Sequence, residues 1–289
     1  MIYEVAFIPS YAWWIAIAIA ALIVGSFLNV LIYRLPIILM HRWQSEARAL
    51  LDGTEHKQSV SNISLWYPPS HCIYCATPIL WKHKIPLVSF ILLRGKCAYC
   101  GTAIAMHYPL IELLTMIAWL VVFAVYGVSY QSAFGMFFVS CLIALAAIDQ
   151  NEGYLVDEIS GPLLWIGLSL NYFAIIVPAE QAILGAVLGY LSFFSLNLIF
   201  KTIRGRQGLG QGDMKLLAAL GACLGWKLLP TIVLIASLSG LLFYGLMHLK
   251  RSYALSDAIP FGPHLAFAGI VTFLFYPQLK TSFEFIYQL

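Results

Sequence analysis

Two aspartates stand where an apolar chain has few charges. Asp149 closes the apolar run of residues 142–148, and Asp213 follows the glycines Gly208, Gly210 and Gly212 at the start of another apolar stretch. A carboxylate at the end of a membrane-type segment is costly and usually functional. If two such groups meet across helices they cannot both ionise, so they share a proton. One then activates water while the other protonates the carbonyl or the leaving amine, which is the chemistry of an aspartic protease. The competing reading makes both residues helix caps at an interface. The three glycines permit φ > 0 and close backbone approach, as an extended substrate strand beside Asp213 would require. No GK[ST] follows them, so they do not form a phosphate cradle.

A second constellation is made of thiols. Cys72-x-x-Cys75 and Cys97-x-x-Cys100 are separated by 21 residues. Paired CxxC knuckles offer two thiolates each and together suit a tetrahedral Cys₄ zinc site. Such a site is structural, because four sulfurs leave no open position for a catalytic water. Redox and iron–sulfur readings of the four cysteines stay as alternatives. Cys141 and Cys223 fall inside apolar segments and read as small buried hydrophobes.

The elements that must position these groups are membrane helices. Of 289 residues, 61% are hydrophobic and only 10% charged, against roughly a quarter charged in a soluble domain. That excludes a single soluble globule and a disordered chain. A net charge of +3 is too small for a nucleic-acid binder. The predicted fold is an all-α polytopic membrane protein of about eight helices, at 11–33, 109–126, 131–148, 161–177, 182–200, 216–226, 230–248 and 261–276. The sixth is short and interrupted by glycine. Of 16 Lys and Arg, all but Lys227 and Lys280 fall on one side of this topology, which makes that side cytoplasmic. Residues 34–107 are then a small cytoplasmic zinc-binding domain inserted between helices 1 and 2, and 108–289 a seven-helix domain. The local charge of the inserted domain is +5, suited to lying along anionic headgroups. A reducing cytoplasm disfavours disulfides between its cysteines. No internal repeat is evident.

Taken in order, these motifs closely resemble one family, the bacterial type IV prepilin peptidases, which are membrane aspartic proteases of the GxGD class. Gly25-Ser26-Phe27-Leu28-Asn29-Val30 with Arg34-Leu35-Pro36 is similar to the family's motif at the end of the first span. The CxxC pairs follow, then Tyr108-Pro109-Leu110-Ile111-Glu112-Leu113, Asp149, Gly210-Gln211-Gly212-Asp213 with Met214-Lys215-Leu216, and Ile259-Pro260-Phe261-Gly262-Pro263. Three positions depart from the family's common pattern: Val156 for Pro, Asn151 for Asp, and Leu209 for Met. None touches the dyad.

The resemblance implies Asp149 and Asp213 as the catalytic pair, with Gly210, Gly212 and Lys215 in support, at the cytoplasmic face of the bacterial inner membrane. It implies removal of a basic leader from type IV prepilins and from the pseudopilins of type II secretion. N-methylation of the new terminus by S-adenosyl-L-methionine would follow, although no contact residue for that donor can be assigned. The basic 34–107 domain would not attract a basic leader, so Glu112, Glu152, Asp157 and Glu158 are the candidate leader contacts. Rival functions are a proton- or cation-coupled transporter using the same carboxylates, a non-enzymatic scaffold presenting the zinc module, and a presenilin-like protease. The transporter would need a polar track through the spans, where Asn29, Asn171 and Asn197 make no continuous line.

Overall fold

The computed structural model describes residues 10–52, 63–205, 208–249 and 260–279. Glu55, Lys57, Arg206, Lys250, Arg251, Asp257, Ile259 and Lys280, used above for charge or motif, lie outside the described residues. Among the described residues the regular elements are all helical, and the only β pairing is two isolated bridges. The chain divides into two compact units, Met1–Val121 and Val122–Leu289.

In the first unit, α1 spans Ser10–Asp52 without a break and carries Pro36 in its interior. Sequence reading ended the first span at Tyr33, before Arg34, and assigned the residues from 34 onward to a soluble domain. The helix continues because the next turns are apolar and then charge-paired, with Arg42 Nε 2.9 Å from Glu46 Oε1 one turn on. At about 1.5 Å per residue it is roughly 65 Å long, twice a bilayer's hydrocarbon core, so part of it leaves the membrane. A short 3₁₀ turn at Trp81–Lys84 and α2, Val88–Leu92, precede α3, which covers His107–Tyr126.

Helices α1 and α3 touch closely: a Cβ on Gly25 would lie 2.8 Å from Glu112 Cα. Asn29 Nδ2 donates to Tyr108 O at 3.0 Å. Arg34 is buried and donates to Ser64 O at 3.0 Å and Pro68 O at 2.6 Å. The motif ending the first span therefore anchors the loop that leads to the first CxxC pair.

The second unit continues with α4 Tyr130–Glu152, α5 Asp157–Tyr172, α6 Ala179–Arg204, α7 Gln211–Leu224, α8 Leu229–Leu249 and α9 Gly262–Leu274. Ser129 caps α4 by accepting from Ser132 N at 3.1 Å, and Gly153 ends it in the left-handed region (φ 75). The core gathers Phe138, Phe273, Leu142, Leu145, Leu217, Leu220 and Leu265, all fully buried.

The eight expected spans match α1 and α3–α9 in order, but only five described helices are long and apolar enough to cross a membrane. Those five are α1, α3, α4, α6 and the helix ending at Leu249, which make this a multi-pass membrane protein. Helices α5, α7 and α9 have 16, 14 and 13 residues, about 24, 21 and 20 Å. For α7 the reason is visible in its surroundings. Every residue from Leu216 to Leu224 is buried, so its apolar sequence faces other helices.

Candidate active site

Asp149 lies in the last turn of α4 and Asp213 in the first turn of α7. Both are buried, at 5% and 9% exposure, although each is a carboxylate. Buried carboxyls need partners, and Asp149 has one from a third helix: Gly262 N donates to its Oδ2 at 3.0 Å. That N–H belongs to the first residue of α9, where helix amides lack internal acceptors and the dipole favours negative charge. The two carboxylates are close enough for the charge of Asp149 to act on Asp213.

Glycine does not serve this site as sequence reading expected. Gly208, Gly210 and Gly212 are absent from the positive-φ residues, and Gly210 sits at φ −67, ψ 144 as the N-cap of α7. What these positions require is space. A Cβ on Gly210 would fall 3.0 Å from Asp213 Oδ2, and one on Gly212 would fall 2.8 Å from Leu155 Cβ. Leu155 also packs against Gly262, whose added Cβ would meet Leu155 Cδ2 at 3.0 Å and Asp149 Oδ2 at 2.5 Å. One leucine from the α4–α5 connection thus wedges between the two backbone segments that carry the acids' neighbours.

Helix α7 is held in place at two levels. Gly185 of α6 and Gly221 of α7 meet so closely that a Cβ on either would lie 2.1 Å from the other's carbonyl oxygen. Gly189, one turn along α6, does the same against Leu217 O at 2.7 Å. This is small-residue packing of membrane helices, in which backbones approach directly. At the far end, Asn171 Nδ2 donates to Ala222 O and Cys223 O at 2.9 and 3.0 Å. Its Oδ1 accepts from Ile176 N and Val177 N, so the last carbonyls of α7 are satisfied inside the protein.

The other acidic candidates separate by environment. Glu112 is buried and accepts from Leu87 N at 2.8 Å. Asp157, in the first turn of α5, is paired with Lys215 Nζ at 2.5 Å. Glu152 and Glu158 are exposed.

The four cysteines Cys72, Cys75, Cys97 and Cys100 come together, with sulfurs all within 4.8 Å of one another. Cys72 Sγ and Cys100 Sγ are 3.8 Å apart, the edge of a tetrahedron with Zn–S of about 2.3 Å. Each pair sits in the same turn. Cys72 N donates to Thr77 O and Ala76 N to Cys72 O; Cys97 N donates to Thr102 O and Gly101 N to Cys97 O. The isolated bridges His71–Pro78 and Lys96–Ala103 close the two turns alike. The structure therefore reveals a local repeat that sequence reading missed, Cys-x-Tyr-Cys-x-Thr-x-Ile at 72–79 and 97–104. The Thr102 side chain, then its backbone N–H, bring the Cys100 thiol down to about 6, and Thr77 lowers Cys75 in the same way. Thiolates are the metal-binding form, so the donor set fits a structural Zn²⁺.

Gly262, Leu155 and the Gly185–Gly221 contact went unassigned in the sequence. The Gly185-x-x-x-Gly189 spacing was the available signal for the last of these. Only the packing identifies Leu155.

Residues 19–126 match the bacterial peptidase A24 N-terminal domain and residues 136–245 the type IV leader peptidase family. The chain is 44% identical over 262 residues to a prepilin leader peptidase/N-methyltransferase of Dickeya chrysanthemi, covering 89% of this chain and 90% of that protein. A protein of the same name from Pseudomonas putida is 39% identical over 274 residues, covering 94% of both chains. Another from Pseudomonas aeruginosa is 39% identical, covering 91% and 90%. No solved structure matches the chain.

Proposed function

The chain belongs to the type IV leader peptidase family, and we propose that it cleaves the leader from type IV prepilins and pseudopilins with Asp149 and Asp213. The observation that carries this reading is the burial of two carboxylates at helix ends, one held by the Gly262 amide and both flanked by Leu155 and its glycine contacts. In the reaction one carboxylate takes a proton from water as it attacks the scissile carbonyl. The other, protonated, donates to the carbonyl oxygen; as the intermediate collapses, the proton taken from water passes to the leaving amine and the diol hydroxyl returns its proton to the second carboxylate. The Gly262 N–H keeps Asp149 oriented without supplying a proton.

The site lies at the cytoplasmic face of the inner membrane, where 14 of the 16 Lys and Arg would gather under the charge rule. A leader arriving there would keep its basic residues in water while its apolar helix stays in lipid. Glu152, the last residue of α4, and Glu158, in the first turn of α5, are both exposed and receive that leader. Glu112 and Asp157 are already engaged.

Cys72, Cys75, Cys97 and Cys100 hold Zn²⁺, which supplies folding energy to a module with little core of its own. The relatives' name also supports N-methylation of the new terminus, for which S-adenosyl-L-methionine is the methyl donor proposed here. Incubation of the full-length protein with a prepilin, with and without that donor, tests both activities by intact mass. Loss of the leader followed by a methyl increment is expected. Asp149→Asn and Asp213→Asn should each abolish cleavage while the protein still inserts, and retained cleavage in either would overturn the dyad.

A further inference from the structure

Between the two knuckles runs an apolar stretch, Ile85-Pro86-Leu87-Val88-Ser89-Phe90-Ile91-Leu92-Leu93, followed directly by Arg94-Gly95-Lys96. A soluble module would bury such residues. In this one α2 has no buried residue, and Val88, Ile91 and Leu92 are 46, 71 and 76% exposed. Its height relative to α3 is fixed by a hydrogen bond. Leu87 N donates to Glu112 Oε2 at 2.8 Å, and Glu112 is the sixth residue of α3, a helix long and apolar enough to cross a membrane. Five rises from the helix start come to about 8 Å, so the stretch lies beside the apolar first turns of α3 rather than beyond its end.

Two further features suit lipid. Much of the stretch's backbone is already bonded: Ser89 N to Ile85 O, Ile91 N to Leu87 O, Leu93 N to Ser89 O and Gly95 N to Phe90 O, all within 3.0 Å, with Leu87 N on Glu112. Unpaired amides would forbid entry into hydrocarbon. Leu110, Leu113 and Leu114, exposed on the first turns of α3, present lipid-compatible surface at the same level. Arg94 and Lys96, both exposed, follow at the end of the segment, where anionic phosphates would meet them.

We propose that residues 85–93 form an interfacial lipid anchor, with Val88, Ile91 and Leu92 among acyl chains and Arg94 and Lys96 on anionic headgroups. The zinc module is thereby fastened to the bilayer between its two knuckles as well as through α1 and α3. The test uses the full-length protein with p-benzoylphenylalanine placed at Ile91 or Leu92, in nanodiscs of phosphatidylcholine alone or mixed with phosphatidylglycerol. Illumination followed by mass spectrometry should give phospholipid adducts at both positions, in higher yield with phosphatidylglycerol. Arg94→Glu with Lys96→Glu should lower that yield to the phosphatidylcholine level. Absence of lipid adducts at both positions, or crosslinks mainly to a second copy of the chain, would overturn the anchor. A yield indifferent to the paired charge reversal would overturn the headgroup contacts.

Discussion

Gly262 and Asp149 are bound by both an attraction and an exclusion. The glycine's amide donates to Oδ2 at 3.0 Å, and the same position has no room for a Cβ, which would lie 2.5 Å from that oxygen. The amide can approach only because nothing larger than hydrogen stands on the α-carbon. A carboxylate oriented in this way does not have to search for its rotamer.

Gly262→Ala must therefore displace Asp149. A shift near 1 Å in a reacting group costs on the order of 100-fold in rate. Cleavage assays on a prepilin should show a loss of about that size in kcat, with the protein still folded by size-exclusion chromatography.

The α6–α7 contact predicts a different kind of failure. Carbonyl oxygens 2.1 Å from where a Cβ would stand at Gly185 or Gly221 cannot move aside as a flexible side chain would. Gly185→Ala and Gly221→Ala should each destabilise the protein by about 3 kcal/mol. Thermal unfolding in detergent should read this as a lower Tm, with folded yield and activity falling together.

Lys215 and Asp157 are paired but 43 and 60% exposed at their side chains. Their coupling should be small. A double-mutant cycle with Lys215→Met and Asp157→Asn, followed by chemical unfolding, should give about 0.2–1 kcal/mol. Neither change should remove cleavage.

The cysteine module should depend on metal and on its threonines. Cys72→Ser should lower bound zinc by elemental analysis and expose residues 63–106 to limited proteolysis. Thr102→Val removes the hydroxyl 3.2 Å from Cys100 Sγ, a partner one step out from the ligands. Chelator competition should show roughly tenfold weaker zinc binding.

Different parts of this molecule were legible for different reasons. Asp149 and Asp213 stand out because membrane chemistry leaves so few charges to choose among, and the four cysteines because knuckle spacing is local. Helix existence followed from apolar runs, but α1 overran its expected end, since a helix can continue past the charged Arg34 into the apolar residues after Pro36 and the Arg42–Glu46 pair. The depth at which α7 is enclosed was not legible, because an apolar run reads alike whether lipid or protein surrounds it. Nor could spacing distinguish Asp157 from Glu158 as a free acid; only the position of Lys215 across the helices does so. Gly262 appeared as a motif letter, and its amide became meaningful when α9 was placed against α4.

The two cysteine turns share hydrogen bonds but place different residues at one left-handed position. Gly101 occupies the left-handed region at φ 70, and its counterpart Ala76 does so at φ 53. An alanine held there carries roughly 1–2 kcal/mol of strain that a glycine escapes. The two turns are thus unequal in strain. Ala76→Gly should accordingly stabilise the module, and Gly101→Ala should weaken it by a similar amount.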